Sequence, residues 1–369
     1  MARKYDEKLV TLLKERAVTS NYKGTELIIK RLPDCDEDGA MDPRLYKDSE
    51  KMMKMLKFMP KFLIKMDTSE KGIKNLRKMF NGIKSVPVVE SEVFIKEHTV
   101  ETEAGVFCSV YQYTNANTQY DGPVLYYIHG GGFFAGHHGV VEESLKLMCE
   151  KFNFPIFSVD YRLAPEHPYP QGHNDVYAVL EWLYQHSEEL GINKDNIFVA
   201  GDSAGGNLAQ YCSTRNAREH TNMVKGQLLL YPTLNMCGVE DEYFKWDASL
   251  YQMIPSQKKS LTKMLGMFGG MTSGLKPVLK VEDPLNDDLN PYSMKDVASN
   301  PVTFITVGEH DYLKVESMAW AAKLHANGVK VKTVIYNGMG HAYFDNCGVY
   351  PQCEDCIDEM GAFILENSK

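Results

Sequence analysis

The sequence contains no long hydrophobic run and no excess of positive charge. No apolar stretch approaches the roughly 18 residues that a transmembrane helix requires, so we expect no stable insertion into a membrane. Across 369 residues, 40 Lys and Arg stand against 49 Asp and Glu, which gives a formal net charge of −9. Proteins that bind nucleic acid owe much of their affinity to cationic side chains on phosphates, so this charge argues against a nucleic-acid partner.

Cysteine is too sparse for a disulfide scaffold, with 8 residues in the whole chain. The opening residues, MARKYDEK, are polar and lack the apolar segment of a secretory signal, so we expect reduced thiols and a cytoplasmic location. Only Cys347, Cys353 and Cys356 cluster. Because one Cys-x-x-Cys pair is a weak indication of zinc, we interpret them as half-buried residues that open the last helix, and expect no metal.

From about residue 92 onward, β-branched apolar runs alternate with helical patterns. The runs are 92–99, 105–112, 123–129, 155–161, 196–200, 226–231, 302–307 and 331–336. Several are almost entirely apolar, which is typical of strands covered on both faces. This alternation predicts an α/β fold with a mainly parallel sheet, and the short connection between the first two runs predicts an antiparallel hairpin.

Two regions do not fit the alternation and are predicted to pack together as a lid. Residues 1–90 form the predicted N-terminal cap segment and 233–285 the cap insertion, while 91–232 and 286–369 form the predicted core. Within the first region, residues 51–66 carry a lysine at every third or fourth position, with Pro60 as a break. This pattern suits a plain amphipathic helix, a Met-lined wall over a substrate pocket or a membrane-surface helix, and the three readings stay open.

The strongest motif is Gly201-Asp202-Ser203-Ala204-Gly205, between an apolar strand pattern and a helical one. That context predicts a nucleophile elbow, a sharp turn that exposes Ser203 at the helix N-terminus.

A second motif, His129-Gly130-Gly131-Gly132, follows the strand 123–129. Acyl transfer needs preplaced donors for an oxyanion, and we assign this role to the N–H groups of Gly131, Gly132 and Ala204.

A serine nucleophile needs a base and an acid that orients the base, in the chain order Ser, acid, His. His341 follows the last predicted strand in a glycine-flanked loop and is the predicted base. Asp311 follows the strand 302–307 and is the predicted acid, with Glu309 as the alternative. His310 is a poorer base because it adjoins its own acid.

The fourth motif is Asp160-Tyr161-Arg162-Leu163-Ala164-Pro165-Glu166-His167-Pro168-Tyr169-Pro170. With these four motifs, the chain resembles the bacterial hormone-sensitive-lipase-like esterases, in their Gly-Asp-Ser-Ala-Gly branch. The resemblance implies an α/β-hydrolase fold with about eight strands and a helical cap. It also implies Ser203, Asp311 and His341 as triad, Gly131, Gly132 and Ala204 as oxyanion hole, no cofactor, and a homodimer as in many family members. Tyr312 departs from the proline that the family usually has after the acid.

The predicted function is therefore a serine carboxylesterase that hydrolyses small esters with short, acetyl-like acyl groups. The alternative is an amide-directed hydrolase such as an arylformamidase, which uses the same triad. Non-catalytic receptors of this fold lose the histidine, whereas His341 is present.

Overall fold

In the computed structural model, residues 3–56 and 67–368 are described, and they form one ten-stranded sheet covered by helices. The strands are β1 (Ala17–Tyr22), β2 (Thr25–Lys30), β3 (Val93–Glu103), β4 (Val106–Asn115), β5 (Val124–Ile128), β6 (Ile156–Asp160), β7 (Ile197–Asp202), β8 (Gly226–Leu230), β9 (Val302–Gly308) and β10 (Val331–Tyr336). The helices are α1 (Lys8–Glu15), α2 (Pro43–Leu56), α3 (Glu70–Phe80), α4 (His138–Phe152), α5 (Gln171–Gln185), α6 (Ser187–Leu190), α7 (Ala204–Glu219), α8 (Lys258–Leu279), α9 (Lys314–Ala326) and α10 (Pro351–Asn367).

The strand order is β1-β2-β10-β9-β8-β7-β5-β6-β4-β3. The seven strands from β2 to β6 in this order pair in parallel, while β1, β4 and β3 join antiparallel at the two edges. The mostly parallel sheet flanked by helices, predicted from the sequence, is confirmed. The predicted hairpin between the first two runs is also present, as β3 and β4.

The sheet has ten strands rather than about eight. The two additional strands, β1 and β2, come from the segment predicted as an N-terminal cap, and β2 pairs in parallel with β10. Part of residues 1–90 is therefore continuous with the sheet. The hairpin turns at Lys23 and Gly24, whose φ angles of 48° and 93° suit a tight two-residue turn.

Alternate side chains of the central strands fill two cores, one on each face of the sheet. On β5, Tyr126 packs with α5 and α7, whereas Tyr127 packs with α4 and α10. This two-sided burial explains why the central strands are apolar throughout.

The rest of the N-terminal segment packs against the insertion between β8 and β9. Met41 forms a small buried cluster with Leu261 and Met264 of α8, and α2 contacts the same helix. Of the basic pattern at 51–66, the backbone of 51–56 continues α2, whereas residues 57–66, with Lys57, Pro60, Lys61 and Lys65, lie outside the described residues. Within residues 3–56 and 67–368, no helix combines the length and the apolar character needed to cross a membrane.

Candidate active site

Ser203 occupies a sharp turn between β7 and α7. Its backbone has φ 54° and ψ −115°, a conformation that costs free energy and that nucleophile elbows share. The flanking glycines are required by close packing, because a Cβ on Gly201 would lie 2.2 Å from the carbonyl oxygen of Gly205. A Cβ on Gly205 would lie 2.0 Å from that of Ile128. The turn therefore presents Ser203 at the carboxyl end of the sheet, ahead of the α7 N-terminus.

The structure brings His341 and Asp311 together with this serine. His341 Nε2 lies 2.9 Å from Ser203 Oγ, and His341 Nδ1 lies 2.8 Å from Asp311 Oδ2. Since a carboxylate only accepts, Nδ1–H donates to Asp311 and Nε2 is left to accept the serine proton. Asp311 is itself held by the backbone N–H of Leu313, which donates to its Oδ1 at 2.9 Å.

The environment of His341 favours its protonated form. Burial by itself disfavours the charged imidazolium, but the negative charge and hydrogen bond of Asp311 outweigh it, with smaller contributions from Asp345 and Asp202. The pKa of His341 therefore lies above its ordinary value. A histidine tuned in this way is suited to accept a proton from serine and hold it while charge develops on the substrate.

The two alternative residues in the acid loop face elsewhere. Glu309 Oε2 accepts a hydrogen bond from the Gly338 N–H at 2.9 Å, which fastens the β9 loop to the β10 loop. His310 is buried, and burial lowers its pKa to about 4, so it stays neutral. Among the described residues, neither is hydrogen-bonded to Ser203, and the carboxylate that accepts a hydrogen bond from His341 is that of Asp311.

The glycine motif after β5 forms a tight turn beside Ser203. Gly131 and Gly132 have φ angles of 117° and 62°, and the N–H groups of Phe134 and Ala135 both donate to the Gly131 carbonyl. Within the described part of the chain, no acceptor is bonded to the N–H groups of Gly131 and Gly132. These groups are thus available for an external acceptor, as an oxyanion hole requires.

Asp202 connects the serine turn to the glycine turn, a role that sequence reasoning missed. Its Oδ1 accepts hydrogen bonds from the Gly130 N–H at 2.9 Å and from the Tyr127 hydroxyl at 3.0 Å. Burial, together with the negative charge of Asp345, raises the pKa of Asp202 to about 7. The motif Gly-Asp-Ser places this residue beside the nucleophile, but only the fold reveals its contact with Gly130.

The motif at 160–170 supports the same turn from the outside. The Tyr161 hydroxyl donates to the His129 carbonyl at 3.0 Å, and the Ala164 N–H donates to the Phe133 carbonyl at 2.9 Å. Arg162 is fixed on buried Asp175 of α5, with an Nη2–Oδ1 distance of 2.8 Å. The motif thus contributes structure rather than reacting groups.

Helix α8 lies across the mouth of this arrangement. The Phe268 ring centre is 5.5 Å from that of His341. A Cβ on Gly132 would lie 3.5 Å from Leu275 Cδ2, so Leu275 borders the glycine turn. The insertion therefore contacts His341 and borders the glycine turn.

The three clustered cysteines lie away from these residues. Cys347, Cys353 and Cys356 are fully buried, rather than half-buried as predicted. Cys353 Sγ donates to the Phe344 carbonyl at 3.2 Å, and burial raises the pKa of Cys353 and of Cys356 well above the ordinary value. Protonated thiols are poor metal ligands, and no group of three or more potential ligands occurs in the described ranges.

Comparison with known proteins relates this geometry to a family. Residues 125–345 match the family model described as having an alpha/beta hydrolase fold. The chain is 28% identical over 327 residues to esterase LipI of Mycobacterium tuberculosis, covering 88% of this chain and 94% of that protein. It is 30% identical over 286 residues to carboxylesterase NlhH of the same organism, covering 77% and 86%.

A solved structure extends the likeness to three dimensions. The hyperthermophilic esterase from the archaeon Pyrobaculum calidifontis superposes with a TM-score of 0.70 at 23% identity, over 89% of this chain and 98% of that one. At this identity the likeness concerns the fold.

Proposed function

The chain belongs to the alpha/beta hydrolase family and is a carboxylic ester hydrolase, and from this premise we propose that it cleaves short-chain, acetyl-like esters through Ser203, His341 and Asp311. The observation that carries the proposal is the continuous hydrogen-bonded series from Ser203 Oγ through the imidazole to Asp311, at 2.9 Å and 2.8 Å. The Ser203 end of this series lies next to the glycine turn, where the N–H groups of Gly131 and Gly132 have no acceptor in the described residues.

In the first half of the reaction, Ser203 Oγ attacks the ester carbonyl carbon while His341 Nε2 takes the hydroxyl proton. The carbonyl oxygen becomes an oxyanion, which the N–H groups of Gly131, Gly132 and Ala204 stabilise. The tetrahedral intermediate then expels the alcohol, which receives the proton from His341. An acyl group remains on Ser203.

In the second half, water replaces the alcohol. His341 takes a proton from water, the hydroxide attacks the acyl carbon, and the same three N–H groups stabilise the second oxyanion. Ser203 leaves with the proton returned by His341, and the carboxylic acid departs. Asp311 orients the imidazole and stabilises the imidazolium that forms twice in each cycle.

The position of α8 supports the preference for short acyl groups. Phe268 borders His341 and Leu275 borders Gly132, so the insertion fills space next to both the base and the oxyanion turn. An acyl chain that extends past these side chains must displace them. The curated relatives carry ester-hydrolase names, which favours esters over the formamide substrates of an arylformamidase.

The test is a series of 4-nitrophenyl esters from acetate to decanoate, with N-formylkynurenine and an anilide in parallel. We expect kcat/KM to be highest between acetate and butyrate, and the Ser203→Ala variant to be inactive and unlabelled by a fluorophosphonate. Each methylene is worth about 1–3 kcal/mol of discrimination, so the decline should be steep. A maximum at long chains, activation by anionic vesicles, or faster cleavage of N-formylkynurenine would contradict the proposal.

A further inference from the structure

The last turn of α3 is hydrogen-bonded to the segment that follows the glycine motif. Arg77 Nε donates to the Phe134 carbonyl at 2.5 Å, and Arg77 Nη2 donates to the Ala164 carbonyl at 2.7 Å. The same guanidinium pairs with Glu166, with Nη1 at 2.8 Å from Oε1. One side chain from the N-terminal segment therefore joins the glycine turn to the motif at 160–170.

Two neighbours on the same helical face make further contacts with this turn. Asn81, four residues after Arg77, accepts a hydrogen bond from the Gly136 N–H at 2.8 Å. Phe80, three residues after Arg77, packs edge-on against Phe134 with ring centres 5.6 Å apart. Positions i, i+3 and i+4 share one face of a helix, so a single turn of α3 delivers all three contacts.

The held segment is one whose conformation needs outside support. Gly131, Gly132 and Phe133 are three consecutive residues with positive φ, at 117°, 62° and 65°. Positive φ is unfavourable for a residue with a Cβ such as Phe133, and such conformations persist only where surrounding contacts determine them. At one end of the turn, Gly130 N–H is bonded to Asp202; at the other end, Phe134 and Gly136 are bonded to α3.

We propose that Arg77 is a positioning residue for the oxyanion hole and that Asn81 assists it through its hydrogen bond with Gly136. The N-terminal segment then has a second role besides covering the site, and this role rests on the proposed esterase function. The guanidinium fixes the Phe134 peptide, the turn closes from that peptide onto Gly131, and the N–H groups of Gly131 and Gly132 keep their direction toward the reacting carbonyl. Loss of Arg77 weakens binding of the transition state more than binding of the substrate.

The test compares Arg77→Ala with Arg215→Ala. Both arginines have 26% of the side chain exposed and pair with a glutamate, but Arg215 pairs with Glu219 of its own helix, and its other side-chain contacts are with Tyr177 and Tyr211. For Arg77→Ala we expect kcat on 4-nitrophenyl acetate to fall about 10- to 100-fold with KM nearly constant. A trifluoromethyl ketone, whose serine adduct mimics the tetrahedral oxyanion, should lose affinity by the same factor. Arg215→Ala should change neither value.

Further variants separate positioning from folding. Arg77→Lys keeps the charge but cannot bond two carbonyls in the same fork, so it should restore little activity. Asn81→Ala should show a smaller loss of the same kind. Methylguanidinium chloride should partly restore the kcat of Arg77→Ala and leave Arg215→Ala unchanged.

Two outcomes overturn the inference. In the first, Arg77→Ala is folded and its kcat and ketone affinity are unchanged. In the second, Arg77→Ala has a lower kcat, a higher KM and a lower melting temperature to similar extents, and methylguanidinium restores no activity. These outcomes differ from the result expected if the proposed esterase function is wrong. In that case the wild-type protein itself would cleave no ester and would not react with a fluorophosphonate.

Discussion

Asp311 and Glu309 lie two positions apart in one loop, yet their carboxylates bind different partners. Asp311 carries a carboxylate oxygen to 2.8 Å from the imidazole, while Glu309 turns toward Gly338 and joins two loops. Position along the chain leaves both residues plausible as the triad acid. The choice between them depends on which side chain points at His341, and this direction is set by the fold.

This difference predicts unequal effects of two conservative substitutions. Asp311→Asn should lower kcat by about three to four orders of magnitude, because the amide cannot stabilise the imidazolium or fix its tautomer. Glu309→Gln should change kcat less than about threefold, because the amide oxygen can still accept from Gly338. Both rates are measured on 4-nitrophenyl acetate, with circular dichroism as a check of folding. A larger loss for Glu309→Gln would show that the acid is misassigned.

The pH profile gives the same prediction a second readout. In the proposed mechanism His341 acts as base only when it is neutral, so we expect activity to fall as the pH drops through the pKa of His341. Because Asp311 raises that pKa, the acid limb of kcat/KM in the wild-type protein should lie above the ordinary histidine value of about 6.5. Residual activity of Asp311→Asn should show this limb at lower pH, since the negative charge is removed.

At the residue scale, the sequence predicts the site residues that lie at the ends of strands. It does not predict the residues whose contacts join parts of the chain that are far apart in sequence. Ser203, Asp311 and His341 each follow an apolar strand, and parallel strands bring their carboxyl ends to one edge. Asp202 and Arg77 give no such indication. Their partners Gly130 and Phe134 are 72 and 57 residues distant in the chain, and only packing brings them into contact.

At the scale of elements, α8 carries the expected control of acyl length. Leu275→Ala should remove side-chain volume beside Gly132 and move the best acyl chain by about one or two carbons toward longer esters. Leu261→Ala is the matched control: both leucines are buried on α8, but Leu261 packs against Met41 of the N-terminal segment. Each truncation should cost about 2–5 kcal/mol of unfolding free energy, whereas only Leu275→Ala should change the ester profile. If both variants show the same dependence of activity on acyl-chain length, then Leu275 of α8 does not select the acyl group.

The elements that the sequence misses are those with weak periodicity. The core strands read as apolar runs because both faces are covered. β1 is an edge strand whose four central residues are exposed, so Ala17-Val18-Thr19-Ser20-Asn21-Tyr22 has no buried face to predict it. β2 has the clearer pattern, with Leu27 buried, but it lies within a region that otherwise has no strand–helix alternation.

At the scale of the whole molecule, the two ends of the described chain are fastened to each other. β2 pairs with β10, the strand that precedes the His341 loop, and α1 contacts α10. Lys30, at the end of β2, is 3% exposed and lies 3.1 Å from Asp355 and 2.5 Å from Glu359 of α10. The N-terminal hairpin is thus part of the sheet framework that carries the His341 loop, and removing residues 1–66 would disturb the sheet as well as the predicted lid.

Lys30→Met tests this view of the hairpin as frame. Methionine fills similar volume but leaves Asp355 and Glu359 without their buried cation, and breaking such a pair costs about 3–5 kcal/mol. Lys332→Met is the control: Lys332 also contacts Glu359, at 2.7 Å, but its side chain is 26% exposed, so its loss should cost at most about 1 kcal/mol. Urea unfolding followed by fluorescence measures both changes. Activity per fluorophosphonate-titrated site should stay constant, because neither lysine reaches the triad; equal stability of the two variants would mean that the buried bridge contributes no more than a surface pair.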